Sequence, residues 1–372
     1  MRVDAVALAQ ELIRLETVNP PGTEEACAEH LARMLEPHGF AVERYEHQPT
    51  RTNLVARRPG TEPSLAPLVF TGHLDTVPLG QQPWSVPPFA GEIRGGRLYG
   101  RGSSDMKAGV AAFVSAAVEV GSAGELQRGL TLVITAGEET GSEGARHLAK
   151  LNVLGPASAL VVAEPTSNQL AVAHKGALHL RAQVSGRTAH GSMPHLGENA
   201  ISKALSAIAR LEAYSFQVAA HPLLGGPTKA ITSIRAGENV NSIPDTCTFT
   251  LDLRTIPGMD PAEVLTELRS ELGSSVHLDV PLANMPPVGT DPDNPFVRCG
   301  LACLGEGMAA PIGLPYFTDA SVLQPAYGGC PTVILGPGDP GQAHQTDEFC
   351  PLEKITEAVL IYQRFIERWC RM

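Results

Sequence analysis

The chain has 372 residues, 43% of them hydrophobic, and a formal net charge of −11. That length suits two domains or one large one, and the acidic balance argues against a general nucleic-acid binder. No stretch approaches the ~18 apolar residues of a membrane span. The opening segment carries Asp4, Glu11, Arg14 and Glu16 at intervals and has no continuous apolar run of the secretory-leader kind. The seven cysteines are scattered, and Cys299 and Cys303 lack a companion CxxC pair. No zinc ribbon is therefore expected, and free thiols in a cytoplasmic protein are the default.

The spacing of Val6, Ala9, Leu12, Ile13 and Leu15 predicts a first amphipathic helix, and Glu24–His38 a second. Phe40–Glu46, Asn53–Arg57 and Pro67–Gly72 read as strands, Ala108–Val120 as a largely apolar helix, and Thr131–Ala136 and Ala159–Ala163 as buried strands. This alternation predicts an α/β fold with a mostly parallel sheet and helices on both faces. The character then changes. Leu178–Val184 alternates as a half-exposed strand, followed by a helix over Asn199–Tyr214 and strands over Ile231–Arg235 and Cys247–Leu253. A helix over Pro261–Leu272 and a strand over Val276–Val280 complete an α+β set. Pro281–Pro295 reads as a return linker. A helix over Phe296–Leu304, a strand over Pro331–Leu335 and a terminal helix over Leu352–Trp369 resume the α/β pattern. The expected organisation is one catalytic domain, residues 1–176 and 289–372, interrupted by an α+β domain at 177–288.

Five residues of metal-binding type, His73, Asp105, Glu139, Glu164 and His344, each follow an apolar run. Four of those runs read as buried strands; Leu98-Tyr99, before Asp105, is too short to assign. Ligands collect beyond the carboxyl ends of strands in open α/β sheets, so these side chains can meet at one sheet edge. Two histidines and three carboxylates suit two divalent metals sharing one carboxylate, an arrangement that usually means hydrolysis. Each residue also has a plainer reading: His73 as a surface histidine beside Asp75, Asp105 as the cap of the following helix, Glu138 and Glu139 as solvated acids, Glu164 as a turn acid, His344 as a loop histidine.

The chain resembles the M20 family of metal-dependent amidohydrolases and exopeptidases. The resemblance rests on Gly72-His73-Leu74-Asp75-Thr76-Val77-Pro78, Tyr99-Gly100-Arg101-Gly102-Ser103-Ser104-Asp105-Met106-Lys107, Glu138-Glu139 and Glu164-Pro165-Thr166. It extends to Ala189-His190-Gly191-Ser192, Asn241-Ser242-Ile243-Pro244 and Ala343-His344-Gln345-Thr346-Asp347-Glu348. It implies that His73 and Glu164 hold one zinc, Glu139 and His344 a second, and Asp105 bridges them, with cobalt or manganese as possible substitutes. Asp75 would orient His73, and Glu138 would be the general base. The inserted segment would be a lid and dimerisation domain, giving a homodimer in which His190 reaches the partner's site to stabilise an oxyanion.

Arg254 is a candidate fork for a substrate carboxylate, with pairing to Asp252 as its plainer reading. Asn241, Thr318 and Gly336 complete the candidate substrate contacts; Gly336-Pro337-Gly338 is either a turn or a source of exposed backbone N–H groups. The stretches around Glu164, His174 and Leu335 look most like acetylornithine deacetylases. Asp319, where those enzymes usually carry a glutamate, leaves a dipeptidase, a carboxypeptidase or a succinyl-diaminopimelate desuccinylase open. The expected substrate is a small N-acyl amino acid or dipeptide, with neither nucleic acid nor membrane as partner. A non-catalytic binding protein and a two-metal phosphoesterase are disfavoured, the first by the intact ligand set with Glu138, the second by the lack of an additional basic cluster.

Overall fold

The computed structural model describes residues 3–305 and 310–371. They fall into two compact units. The larger comprises residues 1–173, 289–313 and 318–372, and the smaller residues 174–288 and 314–317. Among the described residues no helix is long and apolar enough to cross a membrane.

The main sheet of the larger unit runs Ala41–Gln48, Arg51–Arg58, Leu130–Thr135, Leu68–His73, Ala159–Val162, Thr332–Ile334, Ala171–His174. The sheet is mixed. Its centre, from Leu130–Thr135 to Thr332–Ile334, pairs parallel, while the outer pairings are antiparallel. The central strands are Leu-, Val- and Ile-rich and buried along their length, as strands covered on both faces must be. Register fixes where they stop. His73 lies opposite Thr135, Thr71 opposite Val162, and Val162 opposite Ile334. All four parallel strands therefore deliver the chain to the same edge.

The Lys107–Ala123 helix is buried on nearly every side, as its apolar composition requires. It packs against the Ala5–Arg14 and Leu352–Cys370 helices and the Leu68–His73 strand. The Ala5–Arg14 helix begins at Asp4, whose carboxylate accepts the N–H groups of Val6 and Ala7, a cap worth ~1 kcal/mol. Helices over Glu143–Leu151 and Ala320–Ala326 and the Ala171–His174 strand are additions to the sequence reading.

Leu98-Tyr99 does not belong to the main sheet. It forms the middle strand, Arg97–Tyr99, of a separate three-stranded sheet with Glu92–Arg94 and Phe349–Pro351. Asp105 is therefore delivered by a loop and not by a strand of the main sheet.

The smaller unit is built on a five-stranded sheet in which Ala177–Ser185 pairs antiparallel with Thr246–Arg254, Val276–Leu278 and Ala283–Met285. Its inner face (Leu178, Leu180, Ala182, Val184, Phe249, Leu251) meets the Ala200–Ala213 and Pro261–Leu272 helices in one core. The second helix starts where Asp260 caps it and Pro261 occupies the first turn. The expected linker at 281–295 instead contains the Ala283–Met285 strand, because Ala177–Ser185 still has an open edge there.

Candidate metal centre

His73 ends its strand and is buried, not a surface histidine. Its Nδ1 donates to the Asp75 carbonyl oxygen at 2.9 Å, with the Asp75 carboxylate at 3.5 Å. A carbonyl can only accept, so this contact puts a proton on Nδ1 and turns Nε2 toward the carboxylates. Nε2 lies 3.1 Å from Asp105 Oδ1 and 3.8 Å from Glu164 Oε1.

Asp105 has a second face. Its Oδ2 lies 3.5 Å from His344 Nε2, which is 3.2 Å from Glu139 Oε2. One carboxylate thus presents separate oxygens to two imidazoles, each accompanied by its own glutamate. The helix-cap reading of Asp105 does not hold, since Met106 occupies the cap position without a side-chain bond. Nor are the adjacent acids solvated: Glu138 is 7% exposed and the Glu139 side chain 9%. Glu164 is likewise buried. His344 is half-exposed at φ 64°, a left-handed conformation that histidine tolerates better than most residues.

Asp75 does more than face His73. Its carboxylate accepts the backbone N–H of Glu138 at 3.0 Å and of Glu139 at 3.1 Å, and the Asn19 amide at 2.9 Å. It thereby fixes the turn that carries both glutamates. On the other side, buried Glu348 accepts from Arg101 at 2.7 Å and from the backbone N–H groups of Gly102, Ser104 and Asp105. Bonds of this charged kind are worth about 1.5–3 kcal/mol each. Desolvation offsets much of that for a buried pair, so geometry is the main gain. For Asp75 the sequence signal was its spacing two residues after His73; for Glu348 it was only its position in the quoted motif.

The electrostatics demand positive charge. Burial raises Glu138 and Glu164 well above the usual carboxylate range, with repulsion from Glu164 and Asp105 respectively adding to it. Glu139 is raised by burial and by Asp105, and Asp319 by burial. Burial acts the same way on Asp105, but bonds to His344 and His73 outweigh it and hold the group low. Burial opposes a charge on His73, yet its bonds to Asp105 and Asp75 raise it well above the ordinary value; bonds to Asp105 and Glu139 push His344 up to about 10. Such a gathering of buried carboxylates is stable only with cations or protons among them.

The donors fit divalent metal. His73, Asp105 and Glu139 offer ligand atoms all within 4.8 Å of one another. Glu139 Oε1 is buried and has no hydrogen-bond partner among the described residues, an acceptor that a cation would satisfy. Mixed imidazole and carboxylate donors suit zinc, cobalt or manganese.

The candidate substrate groups are placed differently. Gly336 is buried, and its N–H donates to Thr166 Oγ1 at 3.1 Å, so it exposes no N–H to substrate. Its role is close approach: a Cβ there would lie 2.2 Å from the Ala163 carbonyl oxygen. Thr318 is buried and its Oγ1 accepts the Ala320 N–H at 3.1 Å. Asp319 is buried beside it and accepts from Thr135 at 2.6 Å.

In the smaller unit, His190 pairs with Ser242 in a two-stranded ribbon that brings Asn241 alongside, where its carbonyl accepts the Gly191 N–H at 2.7 Å. His190 and Asn241 are exposed. The Ser192 N–H reaches His190 Nδ1 at 3.2 Å, which leaves Nε2 to carry the proton. Arg254 makes the plainer contact, a fork onto Asp252 at 2.8 and 3.0 Å. That fork uses Nε and Nη2 and leaves Nη1 outside the pair.

Known proteins share this architecture. The family model described as peptidase family M20/M25/M40 matches residues 69–368. The acetylornithine deacetylase of Vibrio cholerae serotype O1 is 32% identical, over 94% of this chain and 92% of its own. A probable succinyl-diaminopimelate desuccinylase of Staphylococcus epidermidis is 29% identical, over 97% and 96%. Among solved structures, aminopeptidase PepT from Bacillus cereus aligns with TM-score 0.78 at 20% identity, over 98% of this chain and 97% of that one. The Bacillus subtilis YXEP protein, described as a dinuclear metal-binding peptidase of the M20 family, aligns with TM-score 0.75 at 16% identity, over 98% and 97%. Because the family match covers the sheet edge and every histidine and carboxylate gathered there, the chain belongs to peptidase family M20/M25/M40 and is a metallohydrolase.

Proposed function

We propose that this protein is a di-zinc amidohydrolase that removes the acyl group from an N-acyl amino acid. The observation that carries the reading is the two-faced Asp105, with Oδ1 at 3.1 Å from His73 and Oδ2 at 3.5 Å from His344. His73 and Glu164 would hold one metal, Glu139 and His344 the other, and Asp105 would touch both. Bound there, two divalent cations supply acidification of water and polarisation of the substrate carbonyl. Zinc is the expected occupant, with cobalt or manganese able to substitute.

The chain's own groups do the rest. Glu138 takes the proton of the attacking water and returns it to the departing amine. Its burial beside Glu164 keeps its affinity for a proton high, which suits a group that must accept and then donate. Asp75 holds His73 and the Glu138-Glu139 turn. His190, with its proton on Nε2, offers a donor for a developing oxyanion; we assign it to the site of a partner subunit, in a homodimer formed through the smaller unit. Arg254 would receive the substrate carboxylate through Nη1 or by exchanging Asp252 for it, with Asn241 as a lesser contact; Thr318 is fully buried and has no surface to offer a substrate. We place the enzyme in the cytoplasm, with small molecules and its own copy as partners.

Relatives named as a deacetylase and a desuccinylase, at 32% and 29% identity, support a deacylase. A dipeptidase or carboxypeptidase of the same family is the second reading, favoured by Asp319 in place of the glutamate usual among the deacetylases. The test is amine release by zinc- or cobalt-loaded protein from N-acetylornithine, N-succinyl-diaminopimelate, N-acetylmethionine and a few dipeptides. Preference for an acyl amino acid supports the proposal; preference for dipeptides moves the protein to the peptidase reading. Silence with both metals bound would defeat both.

A further inference from the structure

Three loops must be held together for His73, Asp105 and His344 to face one another, and they arise far apart in sequence. The antiparallel pairing of Arg97–Tyr99 with Phe349–Pro351 begins the job, setting Tyr99 opposite Phe349. The chains leaving that pair are the Asp105 loop on one side and the His344 loop on the other. At the junction stands Glu348. Its Oε2 accepts from Arg101 Nη1 at 2.7 Å and from the Gly102 N–H at 3.0 Å; its Oε1 accepts from the Ser104 N–H at 2.7 Å and the Asp105 N–H at 3.0 Å. Arg101 in turn reaches the carbonyl oxygens of Gln345, next to His344, at 3.3 Å and of Pro78, in the loop after His73, at 3.2 Å. Both side chains are buried, at 0% and 1% exposure, so solvent cannot substitute for either.

We propose that Glu348, with Arg101, is the positioning residue that gives Asp105 its bridging geometry. The inference rests on the two-metal reading above. A carboxylate has about four lone-pair sites, and here four donors converge on it; an amide in its place offers half the acceptors and turns its own donors toward backbone N–H groups. Removing Glu348 would free the Asp105 backbone and disconnect it from the His344 loop. The consequence should fall on the simultaneous holding of two cations, since a lone cation can be served by a carboxylate in many poses.

The test is a calorimetric titration of metal-free protein with zinc, for the wild type, Glu348→Gln, Glu348→Asp and Arg101→Lys, with the unfolding temperature of each metal-free variant measured in parallel. In Glu348→Gln the second equivalent should bind about 10–100-fold more weakly, the usual cost of losing a partner that orients a ligand, while the first equivalent changes less. Glu348→Asp and Arg101→Lys keep the charges and should fall between. They also keep the inference testable if Glu348→Gln fails to fold. A merely structural role predicts lower unfolding temperatures with both zinc affinities intact in the folded variants, and that result overturns the inference. If the wild type itself takes up only one equivalent, the two-metal reading fails and this inference with it. Two equivalents in the wild type and in every folded variant, at equal affinity, sinks this inference alone.

Discussion

The larger unit buries His73 among carboxylates; the smaller begins with His174, equally buried, beside a backbone carbonyl. His174 Nδ1 contacts the Lys175 carbonyl oxygen at 2.9 Å, and its Nε2 has no partner among the described residues. Burial therefore lowers His174 to about 4, whereas the bonds of His73 to Asp105 and Asp75 overcome burial and raise it well above the ordinary value. The same side chain at the same depth is driven in opposite directions by its neighbours. The contrast extends to the regions. In the larger unit the reactive groups are buried, mutually bonded and fixed by Asp75 and Glu348. In the smaller unit His190 and Asn241 are exposed, and the Arg254 fork is occupied by its own neighbour Asp252. A metal centre has to be assembled by folding itself. Groups proposed to meet substrate can stay solvated until it arrives.

The largest effect is expected at Glu138, the buried glutamate that holds no metal in the proposal. Glu138→Gln should keep both metals and lower kcat by ~10²–10⁴. Wild-type turnover in that variant would remove Glu138 from proton transfer and leave the buried carboxylate without a catalytic purpose.

Next is His174. Its folded value of about 4 lies below its unfolded value near 6.5, so between those pH values the unfolded chain binds more protons. The stability it contributes is present above pH ~6.5 and is lost as pH falls toward ~4. In metal-free protein, His174→Gln should remove about 3 kcal/mol of the fall in unfolding free energy between neutral pH and pH ~4. Parallel stability curves for wild type and variant would contradict a neutral His174 whose Nδ1 is bonded to Lys175 and whose Nε2 is buried without a partner among the described residues.

The smallest effect is expected at the exposed side of the comparison. Arg254→Ala should raise KM by roughly ten- to a hundredfold for substrates with a free α-carboxylate, and much less for their esters. Equal losses on both would assign Arg254 to the Asp252 pair alone.

Much of the α/β frame was legible because its strongest elements are long or fully apolar. Buried runs such as Leu130–Thr135 can be little else but strands, and the Pro261–Leu272 helix announces itself through Asp260 and Pro261. Short or paired-at-a-distance features were not legible. The Arg97–Tyr99 and Phe349–Pro351 strands have three residues each, too few to show a period, and so the origin of Asp105 in a loop was hidden. The Ala283–Met285 strand sits in a Pro- and Asn-rich stretch and exists because a neighbouring edge is open to it. The gathering of His73, Glu139 and Glu164 followed from strand ends alone. The work of Asp75 on the Glu138-Glu139 turn, of Glu348 on the Asp105 loop, and of Thr166 on the Gly336 N–H depends on contacts across 63 to 246 residues, which no local pattern encodes.

The central claim is that Asp105 lies between two metals. Anomalous diffraction from crystals of the zinc-loaded protein tests it directly. Two peaks should flank Asp105, one beside His73 and Glu164, the other beside Glu139 and His344. A single peak, or two that do not share Asp105, would contradict it.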